Sequence, residues 1–166
     1  EDVTEIEKLE REMAQQKEKA SRNILMLQEL ASVKQEDLRD FFSSANHMIQ
    51  ECLSITKEIR QNLIKTKEPE GFDILFRHLH TIKGNSRVFG LSIISSVVHD
   101  VESKVTEFIN KSLDLNTKSI TDFIQELYLV QGQINEYIKV AKEVFNFSFG
   151  GDTNNYQILF NLVKEF

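Results

Sequence analysis

The sequence contains few residues that cross-link or interrupt a chain. Cys52 is the only cysteine among 166 residues, which excludes an internal disulfide framework and a zinc site built from four cysteines. Pro69 is the only proline, and there are six glycines. Because proline and glycine are the strongest breakers of regular structure, the long stretches without them favour helices.

Long apolar runs and a basic charge excess are also missing. No apolar run reaches 18 residues, and no signal peptide opens the chain. The 26 acidic and 20 basic residues give a net charge of −6, whereas nucleic-acid binders usually carry a basic excess. We therefore expect a cytoplasmic protein that neither binds nucleic acid nor inserts directly into a membrane. The chain lacks an initiator methionine and is interpreted as a piece of a longer protein.

Apolar side chains recur at helical spacing between residues 35 and 147. They form four stripes, each wide enough to face the core of a bundle. Gly90 ends the second segment, and Asn116 or Thr117 is the expected N-cap of the fourth. We predict an all-α fold in which residues 35–147 form an antiparallel up-and-down four-helix bundle.

Residues 1–34 are highly charged, with apolar or small residues at heptad-like spacing. Glu10 and Lys17 interrupt this seam, which favours a solvated helical linker. The alternative is a parallel two-stranded coiled coil, in which the chain forms a homodimer through residues 1–34. Ser32 to Gln35 either forms a capping box that starts a new helix or lies inside one continuous helix. Residues 148–166 are predicted to form a tail with one short docking helix.

Motifs typical of common enzymes are missing: the sequence has no phosphate-cradling glycine loop, GxSxG, HExxH or CxxC. Histidines are therefore the remaining candidates for chemistry. On a helical wheel His80 lies at one edge of its apolar stripe, on the same side as Lys83 and Gly84. A glycine inside a helix costs about 1 kcal/mol relative to alanine, so its missing side chain requires an explanation. A phosphoryl group on His80 would need such steric room and a nearby positive charge.

His99 and Glu102 lie at one edge of the next apolar stripe. If the two helices pack side by side, Glu102 can accept a hydrogen bond from Nδ1–H of His80. This contact would select one tautomer and leave Nε2 as the exposed nucleophile. A metal site formed by His80, His99 and Glu102 is disfavoured, because no fourth ligand is evident and Lys83 opposes a cation. We therefore predict neither a metal nor another cofactor.

The segment from His80 to Gly90 reads HTIKGNSRVFG and resembles the HxxKGxxxxxG signature of histidine phosphotransfer (HPt) domains. The later His99-Asp-Val-Glu102 resembles the HxxE element of the phosphotransfer domain in chemotaxis-type, CheA-family histidine kinases. The resemblance covers about residues 36–145. Chemotaxis kinases usually begin with this domain, whereas here a charged helix precedes it, so a hybrid sensor or a stand-alone phosphorelay protein is also an option.

The resemblance implies a helical bundle whose exposed histidine takes phosphate from a histidine kinase domain and passes it to a response-regulator receiver. It implies that His80 is the phosphoacceptor and Lys83 its charge partner. Gly84 would supply clearance, Gly90 would close the turn, and Glu102 with His99 would give hydrogen-bonding support. The chain would then be a phosphocarrier and not an enzyme by itself. The alternative function is a helical dimerisation or interaction module that carries no phosphate.

Overall fold

The computed structural model describes residues 2–63, 65 and 69–145, and no strand occurs in these ranges. The prediction of an all-α fold is confirmed. The predicted tail at 148–166 lies outside the described residues. The helices are α1 (Asp2–Ala31), α2 (Gln35–Asn62), α3 (Phe72–Val88), α4 (Ser92–Ile109) and α5 (Thr117–Phe145).

Helices α2 to α5 pack in a ring, in which each helix contacts the next and α5 closes against α2. Side-chain pairs show that neighbours run antiparallel. Between α3 and α4, the pair Arg87–Ser95 lies at one end and the ring pair Phe72–Phe108 at the other. The buried apolar stripes of all four helices meet in one core. Its largest fully buried side chains include Tyr137, Phe42, Phe123, Leu38, Ile49, Leu75, Leu79, Ile82, Leu91 and Ile94.

The ends of the helices follow from specific residues. Gly90 has a φ of 71°, in the left-handed region that glycine adopts without strain. Its N–H donates to the Arg87 carbonyl, and the next N–H, of Leu91, donates to the Ser86 carbonyl, which together form a Schellman turn. Asn116 caps α5, because its side-chain oxygen accepts a hydrogen bond from the Ser119 N–H. The turn at Gly90 sets α4 directly beside α3.

The helix is interrupted between α1 and α2, but the capping box that the sequence offered for this boundary does not form. The Ser32 hydroxyl donates to the Gln28 carbonyl of the preceding helix. Lys34 is the N-cap of α2 and makes no side-chain capping bond.

Helix α1 has two parts with different surroundings. Residues 3–20 are exposed throughout, as a solvated linker predicts. Met26 and Leu30, in contrast, are buried in the core. Glu29 accepts hydrogen bonds from the Tyr137 hydroxyl of α5 and from the N–H of Ser92. The end of the segment predicted as a linker therefore belongs to the packed body of the bundle.

Cys52 lies in the core and is fully buried. Burial raises the pKa of its thiol to about 12, and the negative charge of Glu51 adds to this shift. The thiol is therefore not a reactive group at neutral pH. Of the helices described, none is both long and apolar enough to cross a membrane.

Candidate functional site

The site forms where α3 and α4 lie side by side. Helix α3 presents His80 to solvent, with 63% of its side chain exposed. Helix α4 places Glu102 at the edge of the core, with only 8% of its side chain exposed. The antiparallel register brings the two together, so that Nδ1 of His80 lies 3.0 Å from Oε1 of Glu102. Nε2 of His80 is on the opposite side of the ring from this contact.

Lys83 holds the other oxygen of the same carboxylate. Its Nζ lies 2.5 Å from Oε2 of Glu102, and its side chain is only 13% exposed. Sequence reasoning assigned Lys83 to the phosphoryl group, whereas the structure pairs its ammonium with Glu102. The result is a chain of three polar groups from Lys83 through Glu102 to His80.

Burial by itself raises the pKa of Glu102, because a charged carboxylate is poorly solvated there. Hydrogen bonds and positive charge from Lys83 and His80 together outweigh burial and hold the pKa below its ordinary value of 4.5. Because the pKa is lower in the folded state than in the unfolded state, ionised Glu102 stabilises the fold at neutral pH. This contribution is lost as the pH falls from about 4.5 through the lowered pKa.

The ionised carboxylate determines the tautomer of the neutral imidazole. A carboxylate without a proton has only acceptor oxygens, so Nδ1 of His80 must be the donor in the 3.0 Å contact. The second nitrogen, Nε2, then carries a lone pair. The site thus presents an exposed nitrogen nucleophile whose orientation is set by a buried carboxylate.

Gly84 lies one turn after His80 and leaves open space at the surface. A Cβ built on Gly84 would meet nothing within 4 Å apart from its own helix. Close packing of another helix against this backbone therefore does not explain the glycine. The role expected from the sequence, clearance for a group or partner that approaches His80, stays a prediction.

We expect Gly84→Ala to raise the free energy of unfolding by up to about 1 kcal/mol, because alanine is the better helix former and the site has room. Gly84→Gln is expected to leave the bundle folded but to lower phosphotransfer sharply, because its side chain would occupy the space beside His80. Thermal melts and transfer rates of both variants measure this uncoupling. A large drop in melting temperature for Gly84→Gln would instead assign the glycine a packing role.

His99 does not join the chain of polar groups. Its side chain is exposed and lines a shallow depression with Arg87 and Ser95. Within the described part of the chain, its imidazole makes no hydrogen bond to His80 or Glu102. The hydrogen-bonding support expected from His99 is thus absent from this arrangement, and its role remains a prediction.

Phe76 contacts the His80 ring, which the sequence analysis did not predict. The two rings stack with centroids 5.6 Å apart and planes 19° from parallel. The spacing of four residues on one helix is the signal that predicts this contact, because such side chains lie one above the other.

His78 and His80 face opposite sides of α3. His78 pairs through Nε2 with Glu51 of α2 at 2.8 Å, away from the site. In the ranges that the structure describes, no group of three or more histidine, cysteine or acidic side chains is arranged to hold a metal ion.

Comparisons with known proteins identify the family of the chain. A family model described as "Hpt domain" matches residues 38–133, which include His80, Lys83, Gly84 and Glu102. One curated relative is the chemotaxis protein CheA of Salmonella typhimurium, which is 26% identical over 102 residues. The match covers 61% of this chain and only 15% of that relative's length. No solved structure matches the chain.

Proposed function

The chain belongs to the Hpt domain family, and on this premise we propose that it accepts a phosphoryl group on Nε2 of His80 and relays it between a histidine kinase and a response-regulator aspartate. The resemblance found in the sequence is confirmed by the family match. Hpt domains are histidine phosphotransfer modules of two-component signalling and act as phosphocarriers, not as enzymes. The observation that carries the proposal is the exposed His80 ring, whose Nδ1 is held by Glu102.

The proposed transfer needs only a few actions from this chain. Nε2 of His80 attacks the phosphorus of the donor; the N–P bond forms, and the donor's bond to phosphorus breaks with its electron pair leaving on the donor. The ring then carries positive charge, because Nδ1 keeps its proton. The buried carboxylate of Glu102 stabilises this charge where it develops. Passage to a receiver aspartate reverses the roles, since a new P–O bond forms as the N–P bond breaks.

We assign Lys83 first to the carboxylate and not to the phosphoryl group. Its ammonium balances the charge of Glu102 and keeps the acceptor oxygen ionised for His80. A contact with the phosphoryl group, as the sequence suggests, would require the Lys83 side chain to leave Glu102. The exposed position of His80 and the open space at Gly84 support approach by the kinase and receiver domains, and these partners imply a cytoplasmic location.

Labelling tests the proposal directly. The full chain is incubated with a kinase domain or a receiver domain that carries radiolabelled phosphate. We expect label on the chain that is acid-labile and base-stable, as a phosphorus–nitrogen bond at histidine requires. A chain that stays unlabelled with functional donors would instead support the alternative, a module that carries no phosphate.

Homodimerisation through α1 is a separate part of the proposal, supported by an exposed apolar stripe. Ile6, Leu9 and Met13 are each more than half exposed and lie close together on a helical wheel. Met26 and Leu30, whose side chains α1 buries in the core, point to a different side of the helix. We propose that a second copy of the chain packs against this stripe.

The charges beside the stripe favour antiparallel pairing over the parallel coil considered from the sequence. Glu10 and Glu12 lie in the first part of the exposed helix, and Lys17 and Lys19 lie one heptad later. Antiparallel pairing places Glu10 opposite Lys17 of the second copy, and Glu12 opposite its Lys19. In a parallel pair, flanking residues five positions apart meet instead, so Glu5 lies beside Glu10 of the second copy, although Glu12 also lies beside its Lys17. Charges that flank a coiled coil set its orientation in this way.

We expect cross-linking between introduced cysteines to show this orientation. Cys52, the only cysteine of the sequence, is buried and should not compete for the reagent. Gln16→Cys lies near the centre of the antiparallel overlap and should cross-link to its copy through a short bismaleimide. Glu5→Cys should not, because the two positions would be about 28 Å apart along the axis. Cross-linking at both positions would show a parallel pair, and cross-linking at neither, at millimolar protein, would exclude the homodimer.

A further inference from the structure

The ring of His80 is restrained at two places. Glu102 holds one atom of its edge, Nδ1, at 3.0 Å. Phe76 stacks against one face with a lateral offset, with the ring centroids 5.6 Å apart and the planes 19° from parallel. One hydrogen bond leaves the ring free to tilt about that contact. A flat surface against one face restricts the tilt, so the two contacts together determine where Nε2 points.

Helix geometry explains why Phe76 can act as this surface. Side chains on a helix lean toward its N-terminus, so His80 covers the turn that contains Phe76. Phe76 is half-buried and packs against the core, whereas 63% of the His80 side chain is exposed. The phenyl ring is therefore the fixed member of the pair, and the imidazole is the member that would otherwise be mobile.

We propose that Phe76 is a positioning residue for phosphotransfer, which aligns Nε2 of His80 and stabilises the positive charge that the ring gains when Nε2 is phosphorylated. This inference rests on the proposed function of His80. Displacement at phosphorus requires the attacking atom and the leaving group to be nearly in line, so misalignment lowers the rate. In addition, the face of an aromatic ring attracts a cation within about 6 Å, and the imidazole becomes cationic when it is phosphorylated with Nδ1 protonated.

The test compares Phe76→Leu with Phe72→Leu as a matched control. Phe72 lies one turn earlier on α3 and is also half-buried against the core, but its ring contacts Phe108 and not His80. We expect Phe76→Leu to lower kcat for phosphorylation of His80 by about two- to tenfold, the usual scale of one aromatic contact. KM for the donor should change little, because Phe76 acts through His80. Phe72→Leu should keep the wild-type kcat, and Phe76→Tyr, which retains the stacked ring, should restore it.

Proton NMR gives a readout that does not depend on phosphotransfer. In the wild-type protein, the ring protons of His80 should show nuclear Overhauser effects to the Phe76 ring and an upfield ring-current shift. Phe76→Leu should remove this shift and Phe76→Tyr should keep it. Absence of both signals in the wild type would overturn the stacking and therefore the inference.

The outcomes separate this inference from the function on which it rests. A wild-type chain that takes no label on His80 contradicts the proposed function. A wild-type chain that is labelled normally, with Phe76→Leu as fast as Phe72→Leu, contradicts only the positioning role of Phe76. Slow transfer in both leucine variants with equal loss of melting temperature would also overturn it, because the effect would then be one of general stability.

Discussion

His80→Gln is expected to abolish phosphorylation of the chain while leaving the bundle folded. The substitution removes Nε2, the ring nitrogen that the site exposes to a donor, whereas the His80 side chain is largely exposed and contributes little to packing. Glutamine is the suitable replacement because its amide can still donate a hydrogen bond to the buried Glu102. Labelling measures the loss, and circular dichroism with thermal melting checks the fold.

His99→Gln is the matched control, because His99 is the exposed histidine of the neighbouring helix and makes no hydrogen bond to Glu102 among the described residues. It should keep most of the labelling. A folded His80→Gln protein that is still labelled, together with loss of label in His99→Gln, would transfer the acceptor role to His99.

Glu102→Ala is expected to slow phosphorylation of His80 by about 10²–10⁴-fold, the usual contribution of an orienting or proton-accepting group. Without the carboxylate, nothing selects the Nδ1–H tautomer or stabilises the positive charge on the ring. The modified atom should remain Nε2 of His80. We also expect stability to fall by roughly 2–3 kcal/mol, because Lys83 loses its partner while its side chain is mostly buried.

A double variant separates these two effects. Lys83→Met combined with Glu102→Gln removes both charges and keeps similar volumes, so the cost of an unpaired buried charge disappears. This variant should regain most of the lost stability but remain slow in phosphotransfer. Rates equal to wild type in Glu102→Ala and in the double variant would remove the carboxylate from the mechanism. Glu102→Ala and the double variant could also transfer phosphate equally slowly while Glu102→Ala keeps the wild-type melting temperature. That result would show that the pair with Lys83 is not needed for stability.

Local patterns were enough for much of the architecture. The spacing of apolar residues predicted four helices between residues 35 and 147, where α2 to α5 lie, because helical periodicity is a property of each segment by itself. Gly90 was expected to end a helix because glycine adopts the left-handed conformation without strain, and its φ of 71° agrees. A helical wheel of the sequence placed His80 and Gly84 on one side of α3. Such features depend on residues within a few turns of one another.

The sequence by itself thus determined the helices, their buried faces and the histidine with its neighbouring glycine. Only the tertiary structure decided that Lys83 pairs with Glu102, that His99 stays outside the polar chain, and that the end of α1 joins the core. Each of these depends on the rotation and register of one helix against another. Core packing sets both the rotation and the register. A shift of α4 by one residue would therefore bring a different side chain to His80, although the apolar periodicity of α4 would be unchanged.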